Sequence, residues 1–164
     1  MLEELIACGA KKIFEVGMAG GLQPQLKPGD IIVVTEAIRD EGTSNHYFPP
    51  EVKLESSHRL RNSLLQELTH KRINYSVGSV WTTDGLYRET KVKFLKFHNQ
   101  GILAVNMETS ALFAVAKYRN VEIASAQVIS DVLTTEGCLF AFSDKRVLSR
   151  LQELIKLTVK ALGL

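Results

Sequence analysis

Apolar residues fall into two patterns along the chain, short continuous runs and stripes at helical spacing. Leu2, Leu5 and Ile6 share one face of a short opening helix that packs inward, and Gly9 follows as a residue suited to the left-handed conformation past a helix end. KKIFEVG then predicts a strand, and the cluster Gly17, Gly20 and Gly21 predicts a tight loop at its end. After the turn at Pro28 and Gly29, the continuous β-branched run IIVVTEAI predicts a central strand buried on both faces. RDEGTSNHYFPP is polar and closes on two prolines, which predicts an irregular excursion.

From Ser56 to Lys71, Leu60, Leu64, Leu65 and Leu68 recur at helical spacing behind Ser57, a suitable N-cap. The strand YSVGSVWTT follows, then a helix over Lys91 to Asn99, the short strand ILAVN, and a helical stretch METSALFAVAKYRN with Leu112, Phe113 and Ala116 on its apolar stripe. VEIASAQVIS is the last strong strand. The tail from Asp144 to Leu162 places Val147, Leu151, Leu154, Ile155 and Val159 on one face of an amphipathic helix. Alternating strands and helices predict a single α/β domain over residues 1–164, a three-layer αβα arrangement around a central, mostly parallel mixed sheet.

Composition changes this picture little. The 20 basic and 18 acidic residues give a net charge of +2, too weak a field to capture nucleic acid or an anionic membrane, so neither is expected as a partner. Cys8 and Cys138 lack metal-ligand spacing and predict two reduced, small buried residues. The first residues carry two glutamates where a signal peptide would carry cations, and no apolar run reaches membrane-spanning length, so a cytoplasmic protein is expected.

The fold alone names no reaction. The series KKIFEVGMAGGL, LKPGDIIVVTEAIRDEGTS.HY.PP, VGSVWTTDGLYRET and GILAVNMETSALFAVAKYRNVEIASAQVISD, however, resembles the purine nucleoside and uridine phosphorylase family over nearly the whole chain. The resemblance implies cleavage of the glycosidic bond of a nucleoside by phosphate, giving free base and ribose 1-phosphate, with no metal or organic cofactor. It also implies how the two charges that develop are met. Glu108 would accept hydrogen bonds from the ribose 2′- and 3′-hydroxyls, a task suited to a carboxylate, with Met107 packed against sugar and base. Asp131 would protonate or hydrogen-bond N7 of a purine, which calls for a carboxyl that holds its proton near neutrality. Gly20, Leu86, Val105 and Met107 would surround the base, Leu86 standing where relatives place a stacking phenylalanine.

Plainer readings accompany each residue. Glu108 suits a helix N-terminus, Asp131 a loop after a strand, and Trp81 and Tyr87 a packed core. His46 suits a solvated loop, and Lys145 and Arg146 an exposed helix start.

Three departures from the family pattern bear on the nucleophile. Relatives carry an opening segment with the first strands and a glycine-containing phosphate loop, absent here, so the fold is expected to be N-terminally truncated. In the retained remnant, Gly17 and Met18, relatives show arginine two residues before the glycine and serine or threonine after it, whereas this chain has Glu15 and Met18. The first acid of the ribose motif is Asn106. An anion facing phosphate repels it by about 1 kcal/mol at contact in water and more when desolvated. Water in place of phosphate, as in a hydrolytic nucleosidase, and a degenerate nucleoside-binding or assembly fragment are the alternatives. Sheet edges left open by the missing strands, and the family's habit, imply a homo-oligomer.

Overall fold

The computed structural model describes residues 1–164. Five helices, α1 (Leu2–Ala7), α2 (His58–His70), α3 (Lys91–Asn99), α4 (Thr109–Tyr118) and α5 (Lys145–Ala161), surround a seven-stranded sheet. Its strands are β1 (Lys12–Gly21), β2 (Ile31–Asp40), β3 (Leu54–Glu55), β4 (Tyr75–Thr83), β5 (Ala104–Asn106), β6 (Glu122–Leu133) and β7 (Cys138–Phe140). They lie in the order β3-β2-β4-β5-β1-β6-β7. The long ladders, β1 with β6 and β2 with β4, are parallel, while β5 runs antiparallel to β1 and the edge strands β3 and β7 run antiparallel to their neighbours. The sheet is mixed and mostly parallel. The start of β2 also pairs with β6 at Ile31–Val128, which bends the sheet and closes a ring of five strands.

Helix ends follow local chemistry. Ser57 Oγ accepts from Leu60 N, Thr90 Oγ1 from Lys93 N, and an Asp144 side-chain oxygen from Arg146 N, each meeting an N–H that the helix itself leaves free. Gly9 has φ +102°, as the end of α1 requires. The apolar stripes pack as three clusters. One lies between the sheet and α4 around Val34, Val80, Phe113 and Ile129, one under α2 and α5, and one around Trp81 between α3 and the β4–β5 pair. No helix is long and apolar enough to cross a membrane.

Several expectations are corrected. The glycine cluster forms no loop, since β1 continues through Gly21. Asp131 does not trail β6 but lies within it, paired with Phe140 of β7. In α5 the buried positions are Val147, Leu154, Leu157 and Thr158, whereas Ile155 and Val159 are exposed, because the contact with α2 and the sheet covers a narrower stripe than the apolar pattern. Leu5 is half exposed, Cys8 is exposed and Cys138 only partly buried. Tyr87 is 95% exposed and takes no part in a core, unlike Trp81.

The polar excursion after β2 is ordered by Arg39. Its guanidinium donates to Ser44 Oγ, Asn45 Oδ1 and the carbonyls of Phe48, Pro49 and Val52, wrapping residues 43–52 around one side chain and including a 3₁₀ turn at Thr43–His46. His46 is exposed on that turn. Arg39→Met takes the shared donor from three carbonyls, one of them exposed, and is expected to cost about 1–3 kcal/mol. Urea unfolding measures this, and hydrogen exchange should quicken across 43–52 before the sheet.

Candidate active site

Three of the expected site residues, Gly20, Val105 and Asp131, meet where β1, β5 and β6 lie side by side. Gly20 of β1 pairs with Val105 on one side and Asp131 on the other. A Cβ on Gly20 would stand 2.8 Å from Asp131 Oδ2, 2.7 Å from Leu133 Cδ1 and 3.2 Å from Val105 Cγ1, so only glycine lets these side chains meet over the strand. The register of β1 and β6 slips between Ala19 and Gly20, leaving Ser130 as an extra residue, and such a bulge re-aims the side chain that follows. Asp131 is 8% exposed; Ser130 Oγ donates to its Oδ1 at 2.7 Å and Cys138 Sγ to its Oδ2 at 3.4 Å.

Two members of this corner had no signal in the sequence. Cys138 reaches Asp131 only because β7 folds back on β6, and burial, then the Asp131 charge, pushes its thiol up to about 12. Glu89, just after a 3₁₀ turn at Leu86–Arg88, is pushed up to about 7 by burial first and the Asp131 charge second. Its carboxyl therefore holds a proton close to neutrality. A glutamate raised from 4.5 to about 7 binds more protons folded than unfolded, so its contribution is intact below about pH 4.5 and is lost as pH rises through 7. Glu89→Gln should melt higher than the parent at about pH 8 and match it at about pH 4, as thermal scans would show.

Asn106, Met107 and Glu108 lead from β5 into α4. Asn106 is buried, while Met107 and Glu108 are exposed. Glu108 occupies the N-cap position of α4, and its Oε2 accepts from Met107 N at 3.1 Å. Leu86 is 54% exposed, so the apolar wall expected from it is open to solvent. Lys145 and Arg146 start α5, where Arg146 pairs with Asp144. A surface hollow of about 640 Å³ between Phe140 and Lys145 contains none of the expected base or ribose residues.

Beneath the N-terminus of α4 runs a buried chain of polar groups. Ser110 Oγ donates to Glu41 Oε1, and Ser110 N to Thr82 Oγ1. Thr82 Oγ1 donates to Asn106 Oδ1, Asn106 Nδ2 to Thr109 Oγ1, and Thr109 Oγ1 to Glu15 Oε2 at 2.7 Å. Gln127 Nε2 completes the chain, donating to Glu15 Oε1 at 3.1 Å and to Ser125 Oγ at 3.0 Å. Gly17 makes room for it, because a Cβ there would stand 2.8 Å from Gln127 Oε1. Burial pushes the Glu15 carboxyl above the ordinary range against its hydrogen bonds, and the charge of Glu108 adds to the rise. No group of three or more His, Cys, Asp or Glu is placed to hold a metal ion.

Residues 1–160 match the Phosphorylase superfamily, and the chain belongs to that family. It is 32% identical over 136 residues to a DeoD-type purine nucleoside phosphorylase of Bacillus cereus, covering 82% of this chain and 58% of that one. To the uridine phosphorylase of Treponema pallidum it is 28% identical over 139 residues, covering 78% and 54%. The solved uridine phosphorylase of Vibrio fischeri superposes with a TM-score of 0.87 at 26% identity over 99% of this chain and 67% of that one. The chain thus spans a little over half the length of the curated relatives it matches.

Proposed function

We propose that this chain cleaves the N-glycosidic bond of a nucleoside, with a purine as the preferred base. The observation that carries the proposal is the meeting of Asp131, Gly20 and Val105 at the sheet end from which β5 leads through Asn106 and Met107 to Glu108. Cleavage needs one group for a ribosyl unit that turns positive and another for a base that turns negative. Glu108, exposed at the N-cap position of α4, suits the ribose diol. Asp131, held under Val105 and Gly20, suits N7 of the base, with the half-buried Glu89 carboxyl beside it able to resupply a proton near neutrality.

Phosphate is the acceptor that kinship with phosphorylases suggests, giving base and ribose 1-phosphate, and a nucleoside and phosphate would then be the partners. Family kinship likewise supports assembly into a homo-oligomer. Incubation with adenosine, inosine, guanosine or uridine should release free base, with purines ahead of uridine. Failure to release base from any of them sinks the proposal. Glu108→Gln exchanges one acceptor for a donor facing two hydroxyl donors, so kcat/KM should fall about 10- to 100-fold, measurable by base release at low nucleoside concentration.

A further inference from the structure

We infer that Cys138 is a positioning residue for the chemistry at Asp131, its thiol donating to the carboxyl and holding it in one orientation for the departing base. The inference rests on the reading above for the nucleoside. It adds a residue that lies beyond VISD, the last of the motifs that carry the family resemblance.

Geometry carries the argument. Residues 134–137 form a tight turn, in which Thr134 N donates to Gly137 O at 2.8 Å and Thr134 Oγ1 accepts from the N–H groups of Glu136 and Gly137. The turn returns Cys138 opposite Leu133, and the pairs that follow are Val132 with Leu139 and Asp131 with Phe140. Side chains alternate across a sheet, so Cys138 and Asp131 are diagonal neighbours on the same face. On that face Asp131 Oδ2 and Leu133 Cδ1 crowd the space above Gly20. The terminal torsion of an aspartate is broad, and one donor on one oxygen leaves the carboxyl free to swing. Here Ser130 Oγ holds Oδ1 at 2.7 Å from β6, and Cys138 Sγ holds Oδ2 at 3.4 Å from β7. Two donors on two oxygens, from two strands, set the plane of the group.

A thiol suits the task. It is neutral and a weak donor, and each carboxylate oxygen keeps a second lone pair that neither donor uses, so Asp131 is oriented while remaining open to the base. Burial first, then the Asp131 charge and the hydrogen bond to Asp131, push the thiol up to about 12, so it retains the proton it donates throughout the neutral range. Glu89 is the other titratable group that faces both residues. The place of Cys138 on an edge strand of three residues leaves room to change it without opening the core.

The test follows base release by the full chain from adenosine, inosine and guanosine in the presence of inorganic phosphate. Cys138→Val fills the space of the thiol without a donor, while Cys138→Ser keeps a donor in a smaller side chain. Cys138→Val should lower kcat about 10- to 100-fold with KM changed by less than about threefold, and Cys138→Ser should stay within about threefold of the parent in both. A Cys138→Ser protein no faster than Cys138→Val, whether both are slow or both match the parent, overturns the inference and leaves the glycosidic-cleavage proposal standing. The contact also has its own spectroscopic signature. With Cys8→Ser in the background Cys138 is the single thiol, and its infrared S–H stretch should lie below that of a free thiol and rise when Asp131→Ala removes the acceptor. A band that does not move overturns the inference as well. No base release by the parent protein overturns both readings.

Discussion

Asp131→Asn should slow release of the base by roughly 100- to 10,000-fold, the usual worth of a positioned acid, while the fold stays intact. Asparagine has the same shape, and its amide oxygen can still accept from Ser130 Oγ or Cys138 Sγ, so the β6–β7 pairing has little reason to open. What the amide lacks is a carboxyl group through which a proton can pass to the departing base. The variant carries a second readout that a merely structural effect would not produce. Glu89 is held near 7 partly by the Asp131 charge, so carbon-detected NMR should find Glu89 titrating below that value once residue 131 is neutral. Base release close to the parental rate in a folded Asp131→Asn protein would remove Asp131 from the chemistry.

The same corner shows how far the sequence could be read. Helix α2 was legible because apolar spacing and a cap residue agree, Ser57 and the leucines behind it, and α5 because its apolar stripe is long. Strands β3 and β7 were not, since two or three residues carry no periodicity, and Leu139 and Phe140 are exposed. Missing β7 hid the true length of β6 and turned Asp131 into a loop residue. Glycines at 17, 20 and 21 suggested a turn by composition, but they stand inside a strand, at 17 because Gln127 needs the space and at 20 because Asp131, Leu133 and Val105 do.

Candidate residues in the motifs VNMETS and VISD were legible as a pattern, and the bulge at Ser130 that aims Asp131 was not. The polar chain lay furthest out of reach. Glu15, Thr82, Asn106, Thr109 and Gln127 come from four strands and a helix start, and nothing in their linear spacing says that they touch. Two separate oddities in the sequence, an acid for a cation and an amide for an acid, become one feature only when Thr109 is seen between them.

Trp81 links this site to global stability, and Trp81→Ala is expected to cost about 3–5 kcal/mol. The indole is fully buried, packs against Phe97 with ring centroids 4.6 Å apart, and belongs to the cluster that includes Leu22, Phe94, Ile102 and Val105. Its Nε1 donates to Asp40 Oδ2 at 2.9 Å, the oxygen that also pairs with Lys93 Nζ at 2.6 Å, so truncation removes packing and strips one partner from a half-buried carboxylate. Because domains are stable by only about 5–15 kcal/mol, the loss should be plain as a lower urea midpoint at unchanged slope. Trp81→Phe restores most of the packing but not the N–H, and should recover all but about 1–2 kcal/mol. Val105 connects the two effects. It stands in the Trp81 cluster and also pairs with Gly20, so a collapse around residue 81 should displace the wall against which Asp131 is set. Trp81→Ala, assayed well below its own melting point, should therefore lose base release out of proportion to the small unfolded fraction. Activity that merely tracks the folded population would show that this cluster supports the fold without shaping the site.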